Sequence, residues 1–413
     1  MKQSTSGIAK FFKHSFLLCA AIFMIALMFG GFESKAFADQ AKNDLVDPAM
    51  RKELLNYLED INRYILNLDL GSDSLKIKKK NEADSLFING NFARVLVASY
   101  RITGNKAYLQ EAIRWCDALY NKQELAITSK MEEGGFWVDF ASAKNIYFGD
   151  AGTGATAMAI IYREADPKRK ILYRTAMERY ARFVCQGTLT DPQRRGREVT
   201  KSWIIPEGSN KGALGCGYYR GHLSVHPYTI STATTGGAFF SHFYQITGKP
   251  EYKEIAANAA KWLFTIRKPD GEIRYLLDNL PEKEFSWPLD TIAYCAEAFI
   301  AADKYLQDGD LKSQLRRETK PTVEWLLKTQ NADGSWGKLR SSDQQRSPGA
   351  VALLSWYYRE AEPDPKVAEA VRKYCRFLLN PENSSQYGVK QLIRTTGFVG
   401  LVVADIIQAG SSY

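Results

Sequence analysis

Two aspartates stand where an acid–base pair would be useful. Asp150 immediately precedes Ala151-Gly152-Thr153-Gly154 at the start of one small-residue, apolar run, and Asp290 follows Trp287-Pro288-Leu289 at the start of another. Each is expected to mark one end of an enclosed helix. The local job for Asp150 is an N-cap, and for Asp290 an answer to the helix dipole. Brought together in a funnel, the same two side chains supply the general acid and base that cleave a glycosidic bond. Asp139, beside Trp137 in the stretch 121–150, offers a third carboxylate, with a solvated loop acid as its plainer reading.

A second constellation lies in 187–228, the longest stretch without helical periodicity. Tyr218, Tyr219, Arg220, His222 and His226 fall there within a few residues of one another. Tyr and His with Arg suit elimination from an acidic sugar. Cys216 is near, but Pro227 keeps His222 and His226 off one helix face and no second cysteine is close, so no zinc site is expected. His242 sits inside a helical pattern and reads as a core histidine. Aromatic faces stack on sugar rings, and Trp137, Tyr147, Tyr218, Trp287, Trp336 and Tyr387 are the candidate platforms, with Arg346 and Arg394 as cations beside them. Trp336 also reads as a packing residue. No Gly-rich phosphate loop follows a strand, and Gly152-x-Gly154 reads as close helix packing, so no cofactor is expected.

The elements that must position these residues are helices. Lys320–Glu360 contains the unit: a helix charged on one side, a corner at Asp333-Gly334, and a second helix opening at Ser347-Pro348 that is apolar almost all round. The first belongs outside and the second inside. The pattern repeats along the chain. Outer helices are expected near 48–68, 105–120, 167–186, 250–266, 310–329 and 364–379. Inner helices are expected near 89–102, 151–164, 229–246, 289–306, 348–361 and 392–408, and no strand pattern is evident. Trp262-Leu263 precedes Asp270-Gly271 at the offset by which Trp325-Leu326 precedes Asp333-Gly334. Inner-to-outer links are very short and outer-to-inner links long. Closing six such hairpins into a ring puts every long loop and every inner-helix N-terminus at one mouth, where a ligand site is expected. The stretch 187–228 is expected to lie over it.

The fold class expected is therefore all-α, an (α/α)6 toroid over residues 39–413, preceded by a signal peptide over 1–38. Lys2, Lys10 and Lys13 precede an apolar run from Phe16 to Phe32, and Ala36-Phe37-Ala38 offers a cleavage site. An uncleaved anchor is the alternative, and the membrane would be touched only through that segment. An exported location, periplasmic or extracellular, follows. The net charge of +9 is a mild excess that favours an acidic ligand and carries no nucleic-acid signature. Beyond the leader, which holds Cys19, the five cysteines Cys116, Cys185, Cys216, Cys295 and Cys375 are odd in number and widely spaced, and are expected as thiols.

Gln330-Asn331-Ala332-Asp333-Gly334-Ser335-Trp336, after Trp325-Leu326-Leu327, resembles the Gln–Trp repeat of squalene-type cyclases, and the architecture resembles the (α/α)6 toroids at large. Those include six-hairpin glycosidases, sugar epimerases and some polysaccharide lyases. The repeat implies helix bracing and no chemistry. The DxDD and DDxxD clusters of cyclase chemistry are absent. The resemblance fixes no catalytic residue. It implies an oligo- or polysaccharide ligand, cleaved by carboxylate hydrolysis or by Tyr/His-assisted elimination, with a non-catalytic binding toroid or a sugar epimerase as alternatives.

Overall fold

Asp-Pro dipeptides start many of the helices. Asp47, Asp166 and Asp364 each accept a hydrogen bond from a backbone N–H in the turn they open, and each is followed by proline at the first helical position. Proline loses nothing there because that N–H has no helical partner. Asp308 caps in the same way without a proline. The computed structural model describes residues 45–68, 86–128, 135–136, 146–187, 202–219, 222–224, 226–277, 288–338, 346–383 and 393–413. Within them, Val46–Tyr413 forms one unit. The leader expected over 1–38 lies outside the described residues.

Twelve main helices follow one another among the described residues. The outer set is α1 (Pro48–Leu66), α3 (Lys106–Thr128), α5 (Pro167–Gln186), α7 (Pro250–Thr265), α9 (Gly309–Thr329) and α11 (Pro365–Leu379). The inner set begins with α2 (Leu86–Thr103), α4 (Phe148–Tyr162), α8 (Pro288–Tyr305) and α12 (Ile393–Ile407). Two inner helices change pitch. Helix α6 runs as Thr229–Ser231, a π-helical Thr232–Phe239 and Phe240–Thr247, and α10 runs as Pro348–Trp356 with a π-helical Tyr357–Ala361.

The inner helices touch in the cycle α2, α4, α6, α8, α10, α12 and back to α2, and α1 packs against α11, so the ring of six hairpins is closed. Gly152 shows how tightly the inner helices approach. A Cβ there would lie 2.3 Å from Thr235 Oγ1, where α4 meets the π-helical turn of α6. The Asp-Gly corners recur in structure as in sequence. Gly271 and Gly334 both have positive φ, and each is pressed against the backbone of the next outer helix, at Pro321 and Lys373.

The expectation of no strand needs correcting. A three-stranded antiparallel sheet is formed by β1 (Ile146–Tyr147), β2 (Gly217–Tyr219) and β3 (His222–Ser224), with Ile146 opposite Tyr218 and Tyr219 opposite His222. Strands of two or three residues are too short to write a period-two pattern. Of the stretch 187–228, residues 188–201, 220–221 and 225 lie outside the described residues. Its described middle packs on the flank of the ring, with the Trp203 N–H donating to Val184 O at 3.0 Å and Trp262 Nε1 donating to Asn210 at 3.2 Å. Among its described residues, Tyr228 reaches the mouth. Cys116, Cys185, Cys216, Cys295 and Cys375 are free thiols.

Below the mouth, Arg94 of α2 meets Glu297 of α8 at 2.7 Å, both almost fully buried. These are the first and fourth inner helices, so the pair spans the ring. Removing one member of a buried pair strands the other charge. Arg94→Leu is expected to destabilise by about 3–5 kcal/mol, and Arg94→Leu with Glu297→Leu to recover most of that loss. Urea unfolding of the single and double variants checks it; a double variant no more stable than the single would refute the strut.

Candidate active site

The N-terminal turns of the inner helices converge on one cavity of about 190 Å³. Helix α2 contributes Phe87, α4 Asp150, α6 Ile230, α8 Asp290 and Tyr294, and α12 Thr395 and Phe398, while Arg346 enters from the residues just ahead of α10. Tyr147 of β1, Tyr228 and Tyr275 complete the wall.

Asp150 is not the N-cap its sequence position suggested. Helix α4 begins at Phe148 with Tyr147 at the cap position, so Asp150 lies in the first turn and its side chain faces the cavity. Asp290 holds the equivalent third position of α8. Its Oδ1 lies 3.3 Å from Arg346 Nε, and both side chains are about one-fifth exposed. Solvent, and therefore substrate, can reach this pair.

The tyrosines are tied to one another. Tyr228 hydroxyl is hydrogen-bonded to those of Tyr147 and Tyr275, the latter at 2.8 Å. Tyr275 is carried on a segment pinned to the start of α6, where Leu276 N–H donates to Thr229 Oγ1 at 2.9 Å and Thr229 Oγ1 donates to Arg274 O at 3.0 Å. Tyr294 packs edge-on against Phe398 with ring centroids 5.5 Å apart. Burial, with the negative charges of Asp290 and Asp150 adding to it, pushes the Tyr294 phenol well above its ordinary value. Burial does the same to Tyr228 and Tyr275. These phenols are protonated donors at neutral pH and poor bases.

Of the other candidates from the sequence, Tyr147 and Arg346 line the cavity with the two aspartates. His226 is exposed and does not line it. His242 is buried with Arg163 Nη2 2.9 Å from its Nδ1, and burial, then that guanidinium, hold its pKa well below the usual range. Asp139, Trp137, Arg220, Trp287 and Tyr387 lie outside the described residues, as do the side chains of Tyr218, Tyr219, His222 and Arg394.

Trp336 is not a sugar platform. It is fully buried, its Nε1 donates to Leu326 O at 2.8 Å, and it packs near Tyr374. Gln330 Nε2 donates to the carbonyls of Gly334 and Ala370 at 2.9 and 2.8 Å, so the motif ties α9 to its own corner and to α11. Trp336→Phe keeps most of the ring but loses the N–H, and is expected to cost about 1 kcal/mol of stability with KM unchanged. A raised KM at unaltered stability would return Trp336 to the binding site.

Tyr228, Tyr275, Tyr294, Phe87, Ile230, Thr395 and Phe398 were not singled out from sequence. Tyr294 carried a usable signal, since it lies one turn beyond Asp290 and shares its helix face. Tyr275 carried none, because its place depends on pairing with α6 across the fold.

No protein-family model and no curated protein matches the sequence. Solved structures do match. An inactive variant of an α-1,6-mannanase of glycoside hydrolase family 76 from a Salegentibacter species, in complex with α-1,6-mannotriose, superposes with a TM-score of 0.58 at 13% identity, covering 86% of this chain and 99% of that one. The chain is an (α/α)6 toroid. A polysaccharide lyase matches the toroid with a TM-score of 0.56 at 12% identity over 86% of this chain and 97% of the other. A sugar epimerase from a ruminal bacterium gives 0.56 at 14% identity, over 80% and 86%. At such identities the likeness is one of fold. Among the described residues, no helix is long and apolar enough to cross a membrane, and no cluster of potential metal ligands is formed.

Proposed function

We propose that the toroid is an exported carbohydrate-active enzyme that cleaves a glycosidic bond by hydrolysis, with Asp150 and Asp290 as its acid–base pair. The observation that carries this reading is that two carboxylates from different inner helices line one small, tyrosine-walled cavity. Glycoside hydrolysis needs such a pair flanking the scissile bond. Asp290, whose charge is compensated by Arg346, is the base or nucleophile; Asp150 is the acid that protonates the departing oxygen. The tyrosine hydroxyls hold the sugar's own hydroxyls. Of the solved structures it resembles, one is a mannanase with mannotriose bound and another a polysaccharide lyase, which agrees with a ligand of that class.

Elimination is the less favoured chemistry. With a tyrosine as the base for the sugar C–H it needs a phenolate, and burial raises the pKa of the cavity's phenols. His226 does not reach the cavity. Screening the protein against neutral and acidic polysaccharides tests both readings. New reducing ends without an ultraviolet-absorbing product support hydrolysis, and an unsaturated, absorbing product overturns it in favour of elimination. The export part rests on the basic and apolar leader of 2–38. Recovery of the protein outside the cytoplasm with Asp39 as its first residue supports that part; an intact leader on cytoplasmic protein refutes it.

A further inference from the structure

From the size and closure of the cavity we infer that the site takes a single sugar ring at a chain end, so that the enzyme removes one monosaccharide at a time and leaves the interior of its substrate uncut. The inference rests on the glycosidic reading of the same site and names its mode of action.

Volume is the first argument. A cavity of about 150 Å³ admits one benzene ring. The cavity here, at about 190 Å³, has room for one six-membered ring with its substituents and not for two. Closure is the second. Seven of the lining residues come from the N-terminal halves of five inner helices, α2, α4, α6, α8 and α12, joined by Arg346 just ahead of the sixth and by Tyr147, Tyr228 and Tyr275, so they are drawn from all round the ring. The axis below is blocked. Arg94 and Glu297 lie two turns beyond Phe87 and Asp290 on the same helices, about 10 Å further down, and are bonded across the ring at 2.7 Å. The Tyr413 ring, itself buried, lies 5.4 Å from the Arg94 guanidinium carbon and thickens that floor. A chain cannot pass through such a floor, and the one ring the cavity holds is the one at the chain's tip.

Position of the carboxylates is the third argument. Asp150 and Asp290 sit in the cavity wall, so the bond they can reach is one made by the enclosed ring. Water attacks the anomeric carbon of that ring, the bond to the next sugar's oxygen breaks, and that oxygen takes the proton from the acid. The enclosed ring leaves as a free monosaccharide and the remainder as a chain shortened by one unit.

The test uses tetrasaccharides of mannose, glucose, xylose and galacturonate labelled at the reducing end, with the corresponding free monosaccharides as binding probes. Labelled trisaccharide as the first product, ahead of any disaccharide, supports both the pocket and the glycosidic reading. Labelled mono- or disaccharide among the first products overturns the single-ring pocket and leaves the glycosidic reading standing. If no probe is cut, binding by saturation-transfer NMR decides the pocket. Affinities for a monosaccharide and its tetrasaccharide that agree within threefold uphold it while the hydrolytic reading falls. A tenfold or greater gain with length, or no binding of any probe, overturns both.

Discussion

Asp150→Asn and Asp290→Asn are each expected to lower turnover by at least ~10²-fold while leaving the fold intact. Asparagine keeps the shape of aspartate and most of its hydrogen-bonding capacity, but has no proton to give or take. The two variants should differ in one respect. If Asp150 is the acid, its variant should regain most of the lost rate on an aryl glycoside whose leaving group departs without protonation. The Asp290 variant should not, because the water or the anomeric carbon still lacks its base or nucleophile. The checks are kcat on both kinds of substrate and a melting curve for each variant. Full activity in both Asn variants, on a substrate the wild type cleaves, would sink the carboxylate assignment. Rescue of the Asp290 variant alone would exchange the two roles.

Gly334→Val is expected to destabilise by about 3 kcal/mol or more while leaving activity per folded molecule unchanged. Two costs act together. Gly334 has φ of +96°, a region closed to β-branched residues. A Cβ at this position would also lie 2.4 Å from the Lys373 carbonyl oxygen, a backbone atom of α11 that cannot step aside like the tip of a side chain. Gly334→Asn separates these costs. Asparagine tolerates positive φ better than valine but still carries the Cβ. It should recover only part of the loss if the contact with α11 dominates, and nearly all if the dihedral does. Denaturant unfolding, with active-site titration to count folded molecules, measures both quantities. An unchanged unfolding midpoint for the valine variant would remove the corner from its place as a brace. The cavity with the two aspartates lies at the N-termini of the inner helices and Gly334 contacts an outer one, so the two sets of variants should be independent.

How much of this was legible in the chain depends on whether a feature is local. The twelve helices could be read because each writes its own period: outer helices charged on one side, inner helices apolar throughout, with short corners at Gly104 and Gly248. Ring closure followed from that alternation, because inner helices apolar all round must be enclosed by one another. Asp150 and Asp290 were legible as candidates because each stands at the start of an inner helix, the end that the long loops place at the mouth. The sequence alone did not determine that Asp150 lies inside the first turn instead of capping it. That depends on α4 starting three residues earlier, where β1 delivers Phe148 into an aromatic cluster with Tyr180, Phe183 and Trp203. Trp336 was ambiguous in sequence, because an aromatic ring after a turn reads equally as platform or brace until its N–H is seen on Leu326. The three-stranded sheet, the Tyr147–Tyr228–Tyr275 chain and the Arg94–Glu297 strut were invisible. The tyrosine chain, the strut and the β1–β2 pairing join residues far apart along the chain and leave no periodic trace, and the local β2–β3 hairpin is too short to write one. Local pattern determined which helices form and which ends face the mouth; only tertiary packing decided which side chains share the cavity, because that requires six helices to meet at once.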